Sequence, residues 1–293
     1  MRTFDTATPA HADLAPLAEH PWARGTHRDA TAHLVRLGWT PCGVGDWAVG
    51  LRSPSGHLAA RVCPFDPAYA AFLDLCRRCD GNPYLPRVER AEALDGGGTM
   101  TVMEFLRPVE APVADAVQRQ WHARPTSVPA STRHARSEPA DDAAKAPTPG
   151  ADAPATVETA SATAGPGTAG PATGDPVEAG PVGAGPVVAD DPDFAAVHRA
   201  ACDVNAAYRA SMPWWDGIDL NAGNVRRALD GRLTLIDIFC MDGASLYAQV
   251  LADSRVVRER MGEEHTRHLL DIPFIAREST PEEIDALRRA WER

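Results

Sequence analysis

"GIDLNAGNVRRALDGRLTLIDIF", residues 217–239, sets Asp219, Asn221, Asn224 and Asp237 around a short hairpin-like run. Aspartate and asparagine stay mainly at surfaces unless something binds them. The stretch is therefore either a surface turn or a site that holds metal and phosphate. Asp230-Gly231 is a two-residue turn signal between alternating strand-like residues. A turn there places Asn224 opposite Asp237, with Asp219 in the loop just before the hairpin. An amide oxygen and a carboxylate converging on one point make a hard-oxygen site suited to Mg²⁺. The flanks favour a site over a solvated turn. "LTLIDIF" is expected to bury both neighbours of Asp237, and a buried aspartate needs a partner or a cation.

Outward from this stretch, composition bounds the rest. The 293 residues suffice for one large domain or two modest ones. A net charge of −11 and a pI near 5.3 argue against nucleic acid and anionic membrane surfaces as partners. No stretch has the length of a transmembrane helix. The N-terminus lacks the apolar run of a signal peptide, so the six cysteines read as reduced thiols of a cytoplasmic protein. Cys76 and Cys79 form one C-x-x-C, but no second pair or nearby histidine completes a zinc set. Ordinary, partly buried thiols are the simpler reading.

Four segments follow. Residues 1–39 form an N-terminal extension with a helix at about 27–37. Within 40–109, "WTPCGVGDWAVGLRSPSGHLAARVCPF" reads as three strands joined by glycine-containing turns, "PAYAAFLDLCRRC" as a helix, and "YLPRVERAEALDGGGTMTVMEFL" as two strands around a turn. The order is β-β-β-α-β-β. Residues 110–192, dominated by Ala, Pro, Gly and Thr, are expected to be a disordered insert, because they bury too little apolar area to offset their conformational entropy. Its Ser and Thr residues are candidate autophosphorylation sites, with a plain tether the simpler role. Residues 193–293 open with Phe194, Val197, Ala201, Val204 and Tyr208 at helical spacing, and close on "TPEEIDALRRAWER", a capped helix. The fold class is α+β, with a small antiparallel sheet preceding a helical part.

These residues carry a resemblance. Asp219-x₄-Asn224, a β-hairpin and then Asp237 resemble the catalytic loop and metal-binding Asp of the protein-kinase-like phosphotransferase superfamily. "DLNAGNV" is similar to the "D-L-H-x-G-N-V" loops of its compact bacterial and phage members. "GVGDWAVG" resembles the glycine-rich loop, with Gly43 and Gly45 at its first two glycines and Ala48 in place of the third. "LAAR" falls where V-A-I-K would be, and "VMEFL" is similar to a hinge with Met103 as gatekeeper. The resemblance implies a bilobal fold, ATP and Mg²⁺ as cofactors, and a protein or small-molecule acceptor. It implies Asp219 as base, Asn224 and Asp237 as metal ligands, and the Glu104 C=O and Leu106 N–H against adenine.

The sequence departs from that pattern at four places. Arg61 stands at the phosphate-binding lysine, and the one lysine, Lys145, lies in the insert. Arginine still pairs with phosphate oxygens, although its geometry differs. The following helix has no glutamate, so Asp74 is the nearest candidate partner for Arg61, with a solvated helix face as the alternative. Gly217 replaces a histidine that props the loop, and Phe239 replaces the glycine after the metal Asp. Only 240–293 follow the Asp237–Phe239 stretch, and "STPEE" is a poor match to A-P-E. The expected activity is phosphoryl transfer from ATP to a hydroxyl, such as Ser/Thr of a protein. A small-molecule kinase and a pseudokinase without turnover are the alternatives.

Overall fold

Thr26 starts the helix expected at 27–37. Its hydroxyl accepts the Asp29 N–H while the Asp29 carboxylate accepts the Thr26 N–H. The computed structural model describes residues 9–125, 188 and 190–293. Helices α1 (Pro9–Leu14) and α2 (His27–Arg36) precede strands β1 (Thr40–Val44), β2 (Val49–Arg52) and β3 (Leu58–Cys63). Helix α3 (Pro67–Arg78) then leads to β4 (Val88–Ala93) and β5 (Thr99–Glu104). This is the expected β-β-β-α-β-β order, folded into a five-stranded antiparallel sheet, β1-β2-β3-β5-β4.

The two faces of the sheet follow from the strand period of two. Leu58, Ala60 and Val62 of β3 and Met100 and Val102 of β5 pack with Leu17, Trp22, Leu34 and Trp39. The N-terminal segment is thus part of the sheet's core rather than an appendage. Ala59 and Arg61 alternate to the opposite face, where they lie across from Met103 and Thr101. The β4–β5 turn needs its glycines. Gly97 has φ +87°, and a Cβ there would lie 2.0 Å from the His265 carbonyl oxygen.

Strand β6 (Leu106–Pro108) and helix α4 (Ala111–His122) come next. Helix α4 corrects the expected disordered insert at 110–192, whose first part is ordered. Ala114, Val117 and Trp121 recur on one face of α4 and are buried, with the Trp121 ring 5.7 Å from that of Phe194. That apolar stripe outweighs the polar composition around it. The stretch 126–187 of the expected insert lies outside the described residues.

Helix α5 (Pro192–Ser211) buries Phe194, Val197, Ala201 and Val204, as their spacing predicts. Strands β7 (Trp215–Ile218), β8 (Val225–Ala228), β9 (Leu233–Leu235) and β10 (Phe239–Met241) follow. They form a two-stranded β7-β10 ladder and a three-stranded β6-β8-β9 sheet. The chain ends in α6 (Gly243–Met261), α7 (Glu263–Thr266), α8 (Pro273–Glu278) and α9 (Pro281–Trp291). Thr280 and Glu283 form the expected capping box of α9, with Pro281 in its first turn. No helix among the described residues is long and apolar enough to cross a membrane.

The buried Glu104 carboxylate ties the large sheet to the β8–β9 hairpin. It accepts the Arg87 N–H at 2.9 Å, Arg87 Nη2 at 2.8 Å and Arg232 Nη2 at 2.7 Å. The sequence reading singled out Glu104 for its backbone; its side chain carries this structural role. Glu104→Ala strips two guanidinium groups of a shared partner and is expected to lower stability by about 1.5–3 kcal/mol. Urea unfolding measures this, and a midpoint equal to wild type would refute the tie.

Candidate functional site

The opening hairpin closes differently from the two-residue turn expected for it. Ala228 N–H donates to Arg232 O at 2.9 Å, and Gly231 N–H donates to Ala228 O at 3.0 Å. Leu229, Asp230 and Gly231 therefore form the loop, with Gly231 at φ +92° supplying the left-handed residue that a longer hairpin loop requires. The register becomes Val225↔Leu235, and Ile236 N–H donates to Asn224 O at 2.9 Å. Asn224 consequently faces Ile236 across the ladder, not Asp237.

Asn224 and Asp237 still meet, through the asparagine side chain. Asn224 Nδ2 donates to the Asp237 carbonyl at 2.9 Å and to the Asp219 carbonyl at 3.3 Å. This leaves Asn224 Oδ1 as the ligand atom of that amide. Asp219 N–H donates to Ile238 O at 2.9 Å, so the loop and the strand entering β10 are bonded directly. Asp237 holds φ +53°, a conformation rare outside glycine and concentrated at functional sites.

Two helices brace this loop from outside. Gly217 has φ +133°, and a Cβ there would come within 2.7 Å of Arg209 Nη2. Arg209, on α5, donates to the Asp216 carbonyl at 2.6 Å, and Asn205 Oδ1 accepts Trp215 Nε1–H at 2.8 Å. The space at residue 217 is thus taken by an α5 guanidinium, which supplies a prop. His122 of α4 lies 3.1 Å from the Leu220 carbonyl through Nε2. Phe239, buried, pairs with Ile218 and packs its ring 5.6 Å from Trp215. It is a core residue of the ladder.

The expected Arg61–Asp74 pair is not formed. Arg61 Nη2 donates to Asp66 and lies 3.7 Å from Asp237 Oδ2, while its guanidinium sits 3.8 Å above the Tyr69 ring. Asp74 pairs instead with Arg77 and Arg78 of its own helix, at 3.7 and 2.8 Å. Asp66 is the N-cap of α3, three residues beyond β3, whereas Asp74 lies eight residues further, about 12 Å along the helix axis. The signal for this partner was present in "FDPAY", an N-cap Asp before a helix-starting Pro.

The charges here are unbalanced toward the anionic side. Burial disfavours the Arg61 cation, yet Asp66 and Asp237 outweigh it and raise its pKa. Burial pushes the Asp237 carboxyl up to about 6; Arg61 opposes the rise, and Asp66, Asp46 and Asp219 add to it. Arg61 Nη1 is buried with no hydrogen-bond partner among the described residues.

The other candidates lie on the sheet. Gly43 pairs with Gly50 across β1 and β2, and a Cβ at Gly43 would meet nothing within 4 Å. Gly45 N–H donates to Ala48 O at 2.9 Å, which closes the hairpin tip. That tip rests on α8, where Phe274 N–H donates to Asp46 O at 2.8 Å and Arg277 pairs with the Asp46 carboxylate. Met103 is buried on β5 opposite Ala59, Glu104 lies opposite Leu58, and Leu106 opposite Ala228. A cavity of about 950 Å³, lined by Cys76, Cys79, Arg87, Arg90 and Arg232 among others, is separate from this constellation; none of Arg61, Asp219, Asn224 and Asp237 lines it. Burial pushes the Cys76 thiol up to about 12, so it stays protonated at neutral pH.

No protein-family model matches the chain, and no curated protein matches its sequence.

Asp66 is the residue the arrangement adds to the sequence reading. Asp66→Ala leaves a buried guanidinium without its closest partner and is expected to cost roughly 3–5 kcal/mol. Asp66→Asn keeps the N-cap and should cost less. Urea midpoints of the two variants check this, and a wild-type midpoint in Asp66→Asn would show that the cap alone matters.

Proposed function

We propose that this chain is an ATP- and Mg²⁺-dependent phosphotransferase with a bilobal protein-kinase-like fold, transferring a phosphoryl group to a hydroxyl such as Ser/Thr of a protein. The observation that carries this reading is the convergence of Asn224, Asp219 and Asp237 through one side-chain amide, with Arg61 within 3.7 Å of Asp237. The β1-β2-β3-β5-β4 sheet followed by a helical part supports it.

The donor set fits a hard divalent cation. Asn224 Oδ1 and the Asp237 carboxylate are oxygen ligands of the kind Mg²⁺ takes. Burial, with Asp66, Asp46 and Asp219 adding to it, disfavours the Asp237 anion, and added positive charge opposes that. Bound there, Mg²⁺ would neutralise charge on the phosphates. Asp219 would orient the acceptor hydroxyl and take its proton as the oxygen–phosphorus bond forms and ADP leaves. Arg61 Nη1, without a hydrogen-bond partner among the described residues, is the donor left for a phosphate oxygen. The backbone of the Gly43–Ala48 turn would cover the phosphates, and residues 103–106 would form the hinge. Phosphoryl transfer needs chiefly positioning and charge neutralisation, so this set is sufficient.

A second reading, nucleotide binding without turnover, is favoured by the commitment of Arg61 Nη2 to Asp66. Mg²⁺-dependent ATP turnover of wild type, Asp219→Ala and Asp237→Ala separates the two. Turnover in wild type should fall on the order of 10²–10⁴-fold in Asp219→Ala. Transfer unchanged in Asp237→Ala would sink the metal assignment. Mg-ATP binding in wild type without turnover, lost in Asp237→Ala, would establish the second reading.

A further inference from the structure

We propose that His27, His268 and Asp271 form a zinc site that staples helix α2 to the segment between α7 and α8. One atom from each residue converges on a common point: His27 Nε2 lies 3.6 Å and His268 Nδ1 3.3 Å from Asp271 Oδ2. All three ligand atoms lie within 4.8 Å of one another. Tetrahedral zinc with bonds of roughly 2.0–2.1 Å requires ligand atoms about 3.4 Å apart. The two observed separations bracket that edge before any ion draws the atoms in.

The surroundings hold the three groups in this arrangement. Arg28 Nη2 donates to Asp271 Oδ1 at 2.7 Å, which orients the carboxylate and leaves Oδ2 for the centre. The Arg28 side chain is 73% exposed, so solvent screens its charge from a bound cation. The rings of His27 and His268 meet edge to face at 5.1 Å. His268 is seated against Gly96, where a Cβ would come within 2.4 Å of its Cδ2; any larger residue would displace the ring. The outward nitrogens, His27 Nδ1 and His268 Nε2, are buried and have no hydrogen-bond partner among the described residues. Only the inward nitrogens therefore have a polar group to face. Each neutral ring can carry its proton on the outward nitrogen and offer the inward lone pair to a metal.

Two imidazoles and one carboxylate form a borderline donor set that suits zinc better than magnesium, and three protein ligands leave a fourth position for water. His27 is separated from His268 and Asp271 by more than 240 residues in sequence, so the site joins two distant segments of the chain. An ion that binds only when these segments have packed together favours the folded chain and so would stabilise the protein. The site is distinct from the Asp219–Asn224–Asp237 constellation and does not depend on the proposed phosphotransferase activity.

The test uses the full chain, stripped with a chelator and titrated with ZnCl₂ by calorimetry, with thermal unfolding followed in parallel. One zinc per chain should bind and raise Tm. His268→Ala and Asp271→Ala should weaken that event on the order of 100-fold or more and abolish the rise in Tm. Cys76→Ser and Asp237→Asn should retain both, which excludes the C-x-x-C and the proposed magnesium ligands as the origin. Cobalt in place of zinc gives a readout independent of variant folding: intense visible absorption from a four-coordinate centre is expected. Absence of zinc binding, binding unchanged in His268→Ala, or only the weak absorption of six-coordinate cobalt would overturn the site.

Discussion

The Arg61 guanidinium sits between Asp66 and Asp237, and much of the molecule is arranged around that placement. A buried cation requires compensation, because desolvation costs several kcal/mol per ion. Compensation comes from two separate parts of the chain. Asp66 opens α3, and Asp237 enters β10 in a left-handed backbone conformation. The strand that carries Arg61, the helix that follows it and the loop that carries Asn224 thus share one electrostatic centre. Tyr69 completes it by placing its ring face against the guanidinium.

The loop around Asp219 is held by groups that lie outside it. Its carbonyls are claimed by Asn224 and His122, and Arg209 fills the volume beside Gly217. Helices α4 and α5 therefore hold this loop from outside. This explains why a glycine is tolerated at 217: the volume a side chain would occupy is already taken by a guanidinium that bonds the same loop. Phe239 belongs to the same logic, since its ring secures the β7–β10 ladder against Trp215.

Much of this was legible in the residues. The strand order, the capping box at Thr280 and the buried face of α5 follow from periodicity and cap chemistry, which act over a few residues. The grouping of Asp219, Asn224 and Asp237 was also legible, although through a two-residue turn that the chain does not make. A Gly231 in the left-handed region lengthens the loop by one residue and shifts the ladder, and the asparagine amide restores the contact by reaching past it. Helix α4 was missed because its apolar stripe of Ala114, Val117 and Trp121 is embedded in a polar, proline-rich stretch.

The sequence by itself determined most of the elements, the order of the sheet strands and the residue types gathered at the 217–239 hairpin. Tertiary structure decided the partners. Asp66 rather than Asp74 meets Arg61, Glu104 collects Arg87 and Arg232, Asp46 rests on α8, and His27 reaches His268 and Asp271. The reason is one of range. Periodicity and capping are set by neighbours three or four positions away, whereas the choice among several acids for one buried cation depends on distances that exist only after the helices and strands have packed.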